Sequence, residues 1–544
     1  MARSQFDRSF TVKDTFDFDY LTPIFVDEIL PGDTANVTLN MFARLATQVK
    51  PTMDNMFIDF FFFFVPNRLV WEHWEKFNGA QDNPNDTTDY IVPQMTLASN
   101  QNFAVGSIYD KMGLPTGVNQ IKLNNTLPLR AYNLIWNEWF RDQNMQDSIT
   151  VPKDDGPDEI TDYALRKRGK RHDYFTSALP WPQKGPAVEF SLGGIAPLIA
   201  NPDHPTIRPL PDGYHTYVGF KVPALAGGYI APNVAAGSPN IRHGGSQPGS
   251  GQADLQAELN MNQMQVDTSV LATGMLADLS DATAGTVNQL REAIAVQSLF
   301  ELDARGGTRY VEILRSHFNV ISPDFRLQRP EYLGGGSVRI NSHPVQQTSA
   351  SETDKPLAGL AAFSTASSMG NNIGFTKSFV EHGYVIGMAC ARADLTYQQG
   401  MNRMWNRSTR LDFFWPKLQE LGEQTILNKE IYTQGQSVLE PDGVSVTDDQ
   451  VFGYQERFAE YRFKPSEIHG EFRSTYAQSL DVWHLAEEFS ALPTLSPGFI
   501  AQSTPIERVL AVTNEPALIA DYWFNYKHAR PMVAYSVPST LGRF

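Results

Sequence analysis

The sequence predicts an antiparallel β-sandwich or barrel with elaborated loops and a few inserted helices. Three observations carry this. Short strand-like runs are separated by turns along the whole chain, whose 39 Gly and 35 Pro are scattered and not gathered into one tract. One run, MFIDFFFFFVP, is apolar on both faces, as a strand covered by two layers requires. Helical periodicity is confined to four segments.

In chain order, a turn at Pro31-Gly32-Asp33 precedes an alternating strand from Ala35 to Leu45, with Val37, Leu39 and Met41 on one face and Thr38, Asn40 and Phe42 on the other. The phenylalanine-rich strand follows and stops at Pro66; left uncovered it would aggregate, so the finished structure must bury it. Asn67 is placed to cap a short helix with Val70, Trp74 and Phe77 on one face, ended by Gly79. A second helix, Arg130 to Gln143, puts Tyr132, Ile135, Trp136, Trp139 and Phe140 on a stripe expected to be core. A third, Thr286 to Ala304, does the same with Val287, Leu290, Ile294, Leu299 and Leu302, and Tyr310 to Phe318 reads as a fourth. Between about Ala187 and Thr283 periodicity fades into Gly, Pro, Asn and Ala, including GGSQPGSG at Gly244 to Gly251, the mark of a projection or an unstructured insertion. Strands are then predicted at Ser337 to Ile340, Phe375 to Cys390, Val451 to Phe463, Gly470 to Leu480 and Pro531 to Val537.

Composition excludes several function classes. The 544 residues suffice for a large core, and the longest apolar run, Phe60 to Val65, is far short of the ~20 residues that span a bilayer. The N-terminus MARSQFDRSF lacks the apolar centre of an export signal, which argues against an exported adhesin. The single cysteine, Cys390, sits in VIGMACA and reads as a small buried thiol. With 44 Lys and Arg against 60 Asp and Glu, the net charge of −16 has the wrong sign for holding nucleic acid by overall charge.

Catalytic signatures are missing. Gly334-Gly335-Gly336 lacks the Lys-Ser/Thr pair of a phosphate loop, and no HExxH, cysteine pair, EF-hand loop or G-x-S-x-G elbow occurs. His73 and His317 read as structural, so neither a metal nor a cofactor is expected. Paired acids at Glu487 and Glu488, or Asp17 and Asp19, keep open a carbohydrate-active β-sandwich enzyme, although acids of this kind are ordinarily solvated or ion-paired. The outstanding charge feature is RKRGKRH: Arg166, Lys167, Arg168, Lys170 and Arg171, followed by His172, directly after the acidic run DDGPDEITD at Asp154 to Asp162. Either the two runs neutralise each other as one loop, or the cations face nucleic-acid phosphates with Tyr174, Phe175 and Trp181 available to stack on unpaired bases. NYKHARP supplies a second, weaker candidate in Lys527 and Arg530, flanking His528.

Five long blocks then occur in order: MFARLATQVKPTMDNMFIDFFFFFVPNRLVWEHWEKFNG, RHDYFTSALPWPQKG, GGTRYVEILRSHFNVISPDFRLQRPEYLGGGS, GMNRMWNRSTRLDFFWPKLQELGEQ and HARPMVAYSVPSTLGRF. The chain resembles the major capsid proteins of microviruses, in particular the gokushovirus-like branch, from about Phe6 to Phe544. The resemblance implies one eight-stranded jelly-roll domain over residues 1–544, with the 187–283 insertion as a protrusion at the threefold axes. It also implies a T=1 icosahedral shell built from pentamers around circular single-stranded DNA, a virion location after assembly in a bacterial cytoplasm, and no catalysis. The partners it implies are an internal scaffolding protein, a small basic DNA-packing protein, a minor pilot or spike-type protein and a host receptor. A basic companion would answer the acidic net charge.

Overall fold

The computed structural model describes residues 3–186, 287–306, 310–319, 328–346 and 359–534, together with Val188, Thr348 and short paired strands between 198 and 277. Ten strands make one curled antiparallel sheet, a mainly-β, jelly-roll-like arrangement. They are β1 (Ser4–Asp7), β2 (Phe10–Phe16), β3 (Thr22–Ile29), β4 (Thr34–Gln48), β5 (Met56–Pro66), β6 (Glu331–Gln346), β7 (Leu360–Ser367), β8 (Ile373–Ser378), β9 (Gly383–Ala393) and β10 (Leu518–Arg530). Their order is β1-β10-β4-β7-β6-β5-β9-β3, with β2 also on β10 and β8 also on β4.

The curl comes from β6, which changes partner along its length: Glu331 to Ile340 pair with β5, and Asn341 to Gln346 pair with β7. The three glycines that resembled a phosphate loop serve this strand. A Cβ on Gly335 would stand 2.0 Å from the Phe60 carbonyl oxygen, so only glycine allows β6 to lie against β5 there.

β4 alternates as predicted and runs further at both ends; Ala35, Val37, Leu39, Met41, Ala43 and Leu45 are buried, while Phe42 is exposed. β5 is covered on both faces. Phe60, Phe62 and Phe64 enter a core with β3, β4 and β10 residues such as Phe25, Leu39 and Phe524, whereas Phe63 and Val65 join a second core with Trp71, Tyr132 and Ile135. Each fully buried ring contributes about 1.5–3 kcal/mol, and covering β5 removes its aggregation hazard. Cys390, on β9, is fully buried in the second core, and burial pushes its thiol up to about 12.

Several sequence expectations shift. The second helix spans Leu127–Ile135, begun by Pro128 in its first turn, and continues as a π-helical turn over Trp136–Phe140 before Arg141 turns extended. Asn67 caps nothing with its side chain; it opens a 3₁₀ turn (Asn67–Leu69) through its main-chain carbonyl, and the next helix is only Trp74–Phe77. The third helix forms (Val287–Arg305), but its stripe is not core: Leu290, Ile294, Leu299 and Leu302 are 41–60% exposed. The fourth forms at Tyr310–Phe318. Phe375 to Cys390 is two strands, β8 and β9, divided by a turn. Val451 to Phe463 is a strand only to Glu456, and Gly470 to Leu480 is 3₁₀ and turn because no partner strand is offered to it. Residues 531–534 are bends and irregular chain, the last described strand being β10 just before them, and 535–537 lie outside the described residues.

By contacts the chain divides into two compact units, Met1–Lys184 with Phe300–Phe544, and Gly185–Leu299. Within the second, Leu198–Ala200 pairs antiparallel with Met275–Ala277. Most of 187–283, including Gly244 to Gly251, lies outside the described residues. No described helix is long and apolar enough to cross a membrane.

Candidate nucleic-acid interface

The basic run is an extended segment stitched by its main chain between two others. The Arg166 carbonyl accepts from Leu21 N–H at 2.9 Å, Arg168 N–H donates to Asp19 O at 2.9 Å, Gln502 N–H donates to Arg168 O at 2.8 Å, and Lys170 N–H donates to Ile500 O at 2.7 Å. Extended backbone sends alternate side chains to opposite faces, so this run cannot present all five cations to one surface.

The structure separates them. Arg168 donates through Nη1 to Asp59 Oδ2 at 2.5 Å and lies over the Phe61 ring; Lys170, buried, meets Glu487 Oε1 at 2.9 Å and covers the Phe499 ring at 4.6 Å. Burial pushes the Asp59 carboxyl up, but hydrogen bonds from Arg392 and Ser337 and the charges of Arg392 and Arg168 prevail and hold it below the usual carboxylate range. Lys167 lies over the Tyr20 ring, and Arg166 leaves its Nε buried without a hydrogen-bond partner. Arg171 and His172, at the end of the run, are exposed.

The acidic run does not neutralise these cations. Asp158 and Asp154 go to Arg130, and Asp155 accepts from Trp71 Nε1 at 2.7 Å and stands 2.8 Å from His73 Nδ1. Of the aromatics proposed for stacking, Tyr174 and Phe175 are core residues, and Tyr174 donates its hydroxyl to Glu430; Trp181 remains partly exposed. The second candidate lies on β10 beside β1. Lys527 is bonded to Asp7, and Arg530 donates to Asp33 Oδ2 at 3.1 Å. Among the described residues no hydrogen bond or ion pair joins the two candidates.

The acids weighed for catalysis are individually committed. Glu487 holds Lys170, Glu488 faces Arg508 at 3.8 Å, Asp17 accepts from Ala517 N–H at 2.8 Å and Asp19 from the Thr504 hydroxyl at 2.6 Å. Among the described residues no group of three or more metal-ligating side chains converges.

Trp139, which the sequence assigned to the core, joins Tyr332 in completing a basic surface. The π-helical turn leaves Trp139 38% exposed beside Tyr332, and these rings, with Arg141 and the segment Arg168 to His172, line a pocket of about 440 Å³. The available signal was Trp139, placed where a regular helix would have hidden it.

Comparison with known proteins adds to this geometry. The family profile described as capsid protein (F protein) matches residues 1–540. The chain is 57% identical to the capsid protein VP1 of Bdellovibrio phage phiMH2K, over 100% of this chain and 96% of that protein. It is 43% identical to the capsid protein VP1 of Chlamydia phage 1, over 99% and 96%, and 34% identical to that of Spiroplasma virus 4, over 96% and 92%. A curled β-sheet with strands protected on both faces and full-length correspondence to three phage coat proteins lead to one conclusion: the chain is a virion component and belongs to the phage capsid protein (F protein) family.

Proposed function

We propose that this chain is the major subunit of a T=1 icosahedral shell that assembles through pentamers around a circular single-stranded DNA genome, and that it catalyses nothing. The observation that carries the reading is the match over residues 1–540 to a capsid family, with no large part of the chain left over for another activity. The separate commitments of Glu487, Glu488, Asp17 and Asp19 support the non-catalytic part. In this reading residues 1–544 are one jelly-roll domain, and 187–283 is an insertion that protrudes at the threefold axes and contributes to host attachment.

Within such a shell Arg171, Lys167 and His172 contact genome phosphates, and Arg168 and Lys170 brace the segment through Asp59 and Glu487. Lys527 and Arg530 form a secondary contact where their carboxylate partners can be exchanged for phosphates. A small basic DNA-packing protein would offset the net charge of −16, and an internal scaffolding protein, a pilot or spike-type protein and a host receptor complete the partner set. Closed symmetry repeats each modest contact many times, which makes a stable particle from weak interfaces.

Sedimentation and negative-stain microscopy of the chain alone, and then with its scaffolding protein, test this. Pentamers or closed shells are expected; a compact monomer in both preparations overturns the reading.

A further inference from the structure

We propose that the pocket beside the basic run is a nucleotide site, in which one unpaired base of single-stranded DNA stacks on Trp139 and Tyr332 while its phosphates lie on Arg171 and Arg141. The proposal deepens the reading of the chain as a genome-enclosing shell subunit and rests on it.

The pocket has a built aromatic wall. The ring centroids of Phe63, Trp139 and Tyr332 are mutually 5.3, 5.4 and 6.0 Å apart, so each ring is held by the other two. Phe63 is buried and forms the floor, whereas Trp139 and Tyr332 remain 38% and 44% exposed, as a stacking surface must. Trp139 is fixed further by donating Nε1–H to Pro330 O at 2.9 Å, and the Arg329 guanidinium lies 5.1 Å from its ring centre. Held rings lose little freedom when a base arrives.

Its charge runs opposite to that of the chain as a whole. Arg141, Arg168, Lys170 and Arg171 line it against one carboxylate, Asp142, whose oxygen is already taken by the N–H groups of Asn144 and Met145 at 2.9 and 3.1 Å. Arg168 and Lys170 are satisfied by Asp59 and Glu487. Arg171 makes no ion pair with any described residue, and Arg141 spends Nη1 on the Gln146 carbonyl at 2.8 Å and leaves Nε buried without a hydrogen-bond partner. Two guanidiniums without an ion pair beside the exposed parts of two rings, one of which already carries Arg329, fit a phosphate joined to a base. Duplex DNA hides its base faces and cannot use the rings, and a bare phosphate cannot either. At about 440 Å³ the pocket is within the range of small-ligand sites, about 300–1,000 Å³.

The test uses assembled particles. Ultraviolet irradiation, nuclease digestion and peptide mass spectrometry are expected to find mononucleotide adducts on the peptides carrying Trp139 and Tyr332. In parallel, quenching of tryptophan fluorescence is followed as an oligothymidylate, thymidine monophosphate or inorganic phosphate is added to the purified chain. The oligothymidylate is expected to bind with a site that Tyr332→Leu and Arg171→Gln each weaken about tenfold. Arg171 is exposed, so Arg171→Gln keeps the fold even where Tyr332→Leu does not. Particles that package DNA but carry adducts only elsewhere, with oligothymidylate binding unchanged in Arg171→Gln, overturn the pocket and leave the shell reading intact. Saturation by thymidine monophosphate as tightly as by the oligomer overturns a strand site in favour of a free-nucleotide site. Failure of the wild-type chain to assemble with its scaffold bears on the shell reading instead.

Discussion

Arg130 and Asp158 meet in the interior: the guanidinium Nε lies 2.9 Å from Asp158 Oδ2, and the two side chains are 0% and 1% exposed. Thr126 and Tyr163 hydroxyls donate to the same carboxylate, at 2.6 and 2.5 Å. An acid that the sequence set against the neighbouring basic run is instead the pin that holds the Leu127–Ile135 helix to the loop after it.

Asp158→Asn is therefore expected to cost about 3–5 kcal/mol, because it strands a buried guanidinium. Burial pushes this carboxyl up, but bonds from Arg130, Thr126 and Tyr163 outweigh it and hold the group below its ordinary range. Its contribution is thus complete above the unfolded value of about 3.9 and is lost as pH falls through the lower folded value. Urea unfolding at neutral pH measures the effect, and a loss under about 1 kcal/mol would contradict the buried pair.

The basic run should divide into two classes. Lys170→Gln leaves Glu487 without its cation and removes the ammonium over Phe499, and is expected to lower the melting temperature clearly, whereas Arg171→Gln should change stability by less than about 0.5 kcal/mol and reduce DNA retention at raised salt. Thermal melts and salt-titrated genome release check this; equal behaviour of the two variants would refute the division.

His528 predicts an acid sensitivity. It is fully buried on β10, 2.7 Å from the Tyr526 hydroxyl and 3.0 Å from Asp33 Oδ2, though not aligned for a hydrogen bond to the latter. Burial lowers its pKa, and Arg530 and Arg8 push the same way against Asp33 and Asp27. The unfolded chain then takes up the proton first, so stability is complete above the unfolded value of about 6.5 and declines as pH falls below it. Denaturant melts at pH 7.5 and 5.5 should show the decline, and His528→Gln should flatten it.

Shortening Gly244 to Gly251 with its surroundings is expected to leave particle formation intact and alter host attachment. Absence of particles by electron microscopy would place the segment in the shell itself.

Legibility followed the reach of each interaction. β5 was readable because a residue's own two neighbours on either side reveal a doubly covered strand, and β4 because its period of two is clean. β10 was not, since exposed Ile519 and Trp523 blur the inner row of Leu518, Ala520, Tyr522, Phe524 and Tyr526. The helical period of Leu290, Ile294, Leu299 and Leu302 was correct, yet a period says nothing of what faces it. For the basic run, counting charges could not foresee that Asp59 and Glu487, distant in sequence, take Arg168 and Lys170. The pocket escaped because a π-helical turn, invisible to a fixed period of 3.6, swings Trp139 outward.

The strand order carries a cost in time. β5 leaves the ribosome by Pro66, but β6 and β9, its two neighbours, start at Glu331 and Gly383. At about 5–20 residues per second, a ribbon of phenylalanine waits on the order of tens of seconds for its partners. During that interval the exposed phenylalanines are open to wrong pairing, so slowing or speeding synthesis is expected to change the folded yield even where final stability is unchanged.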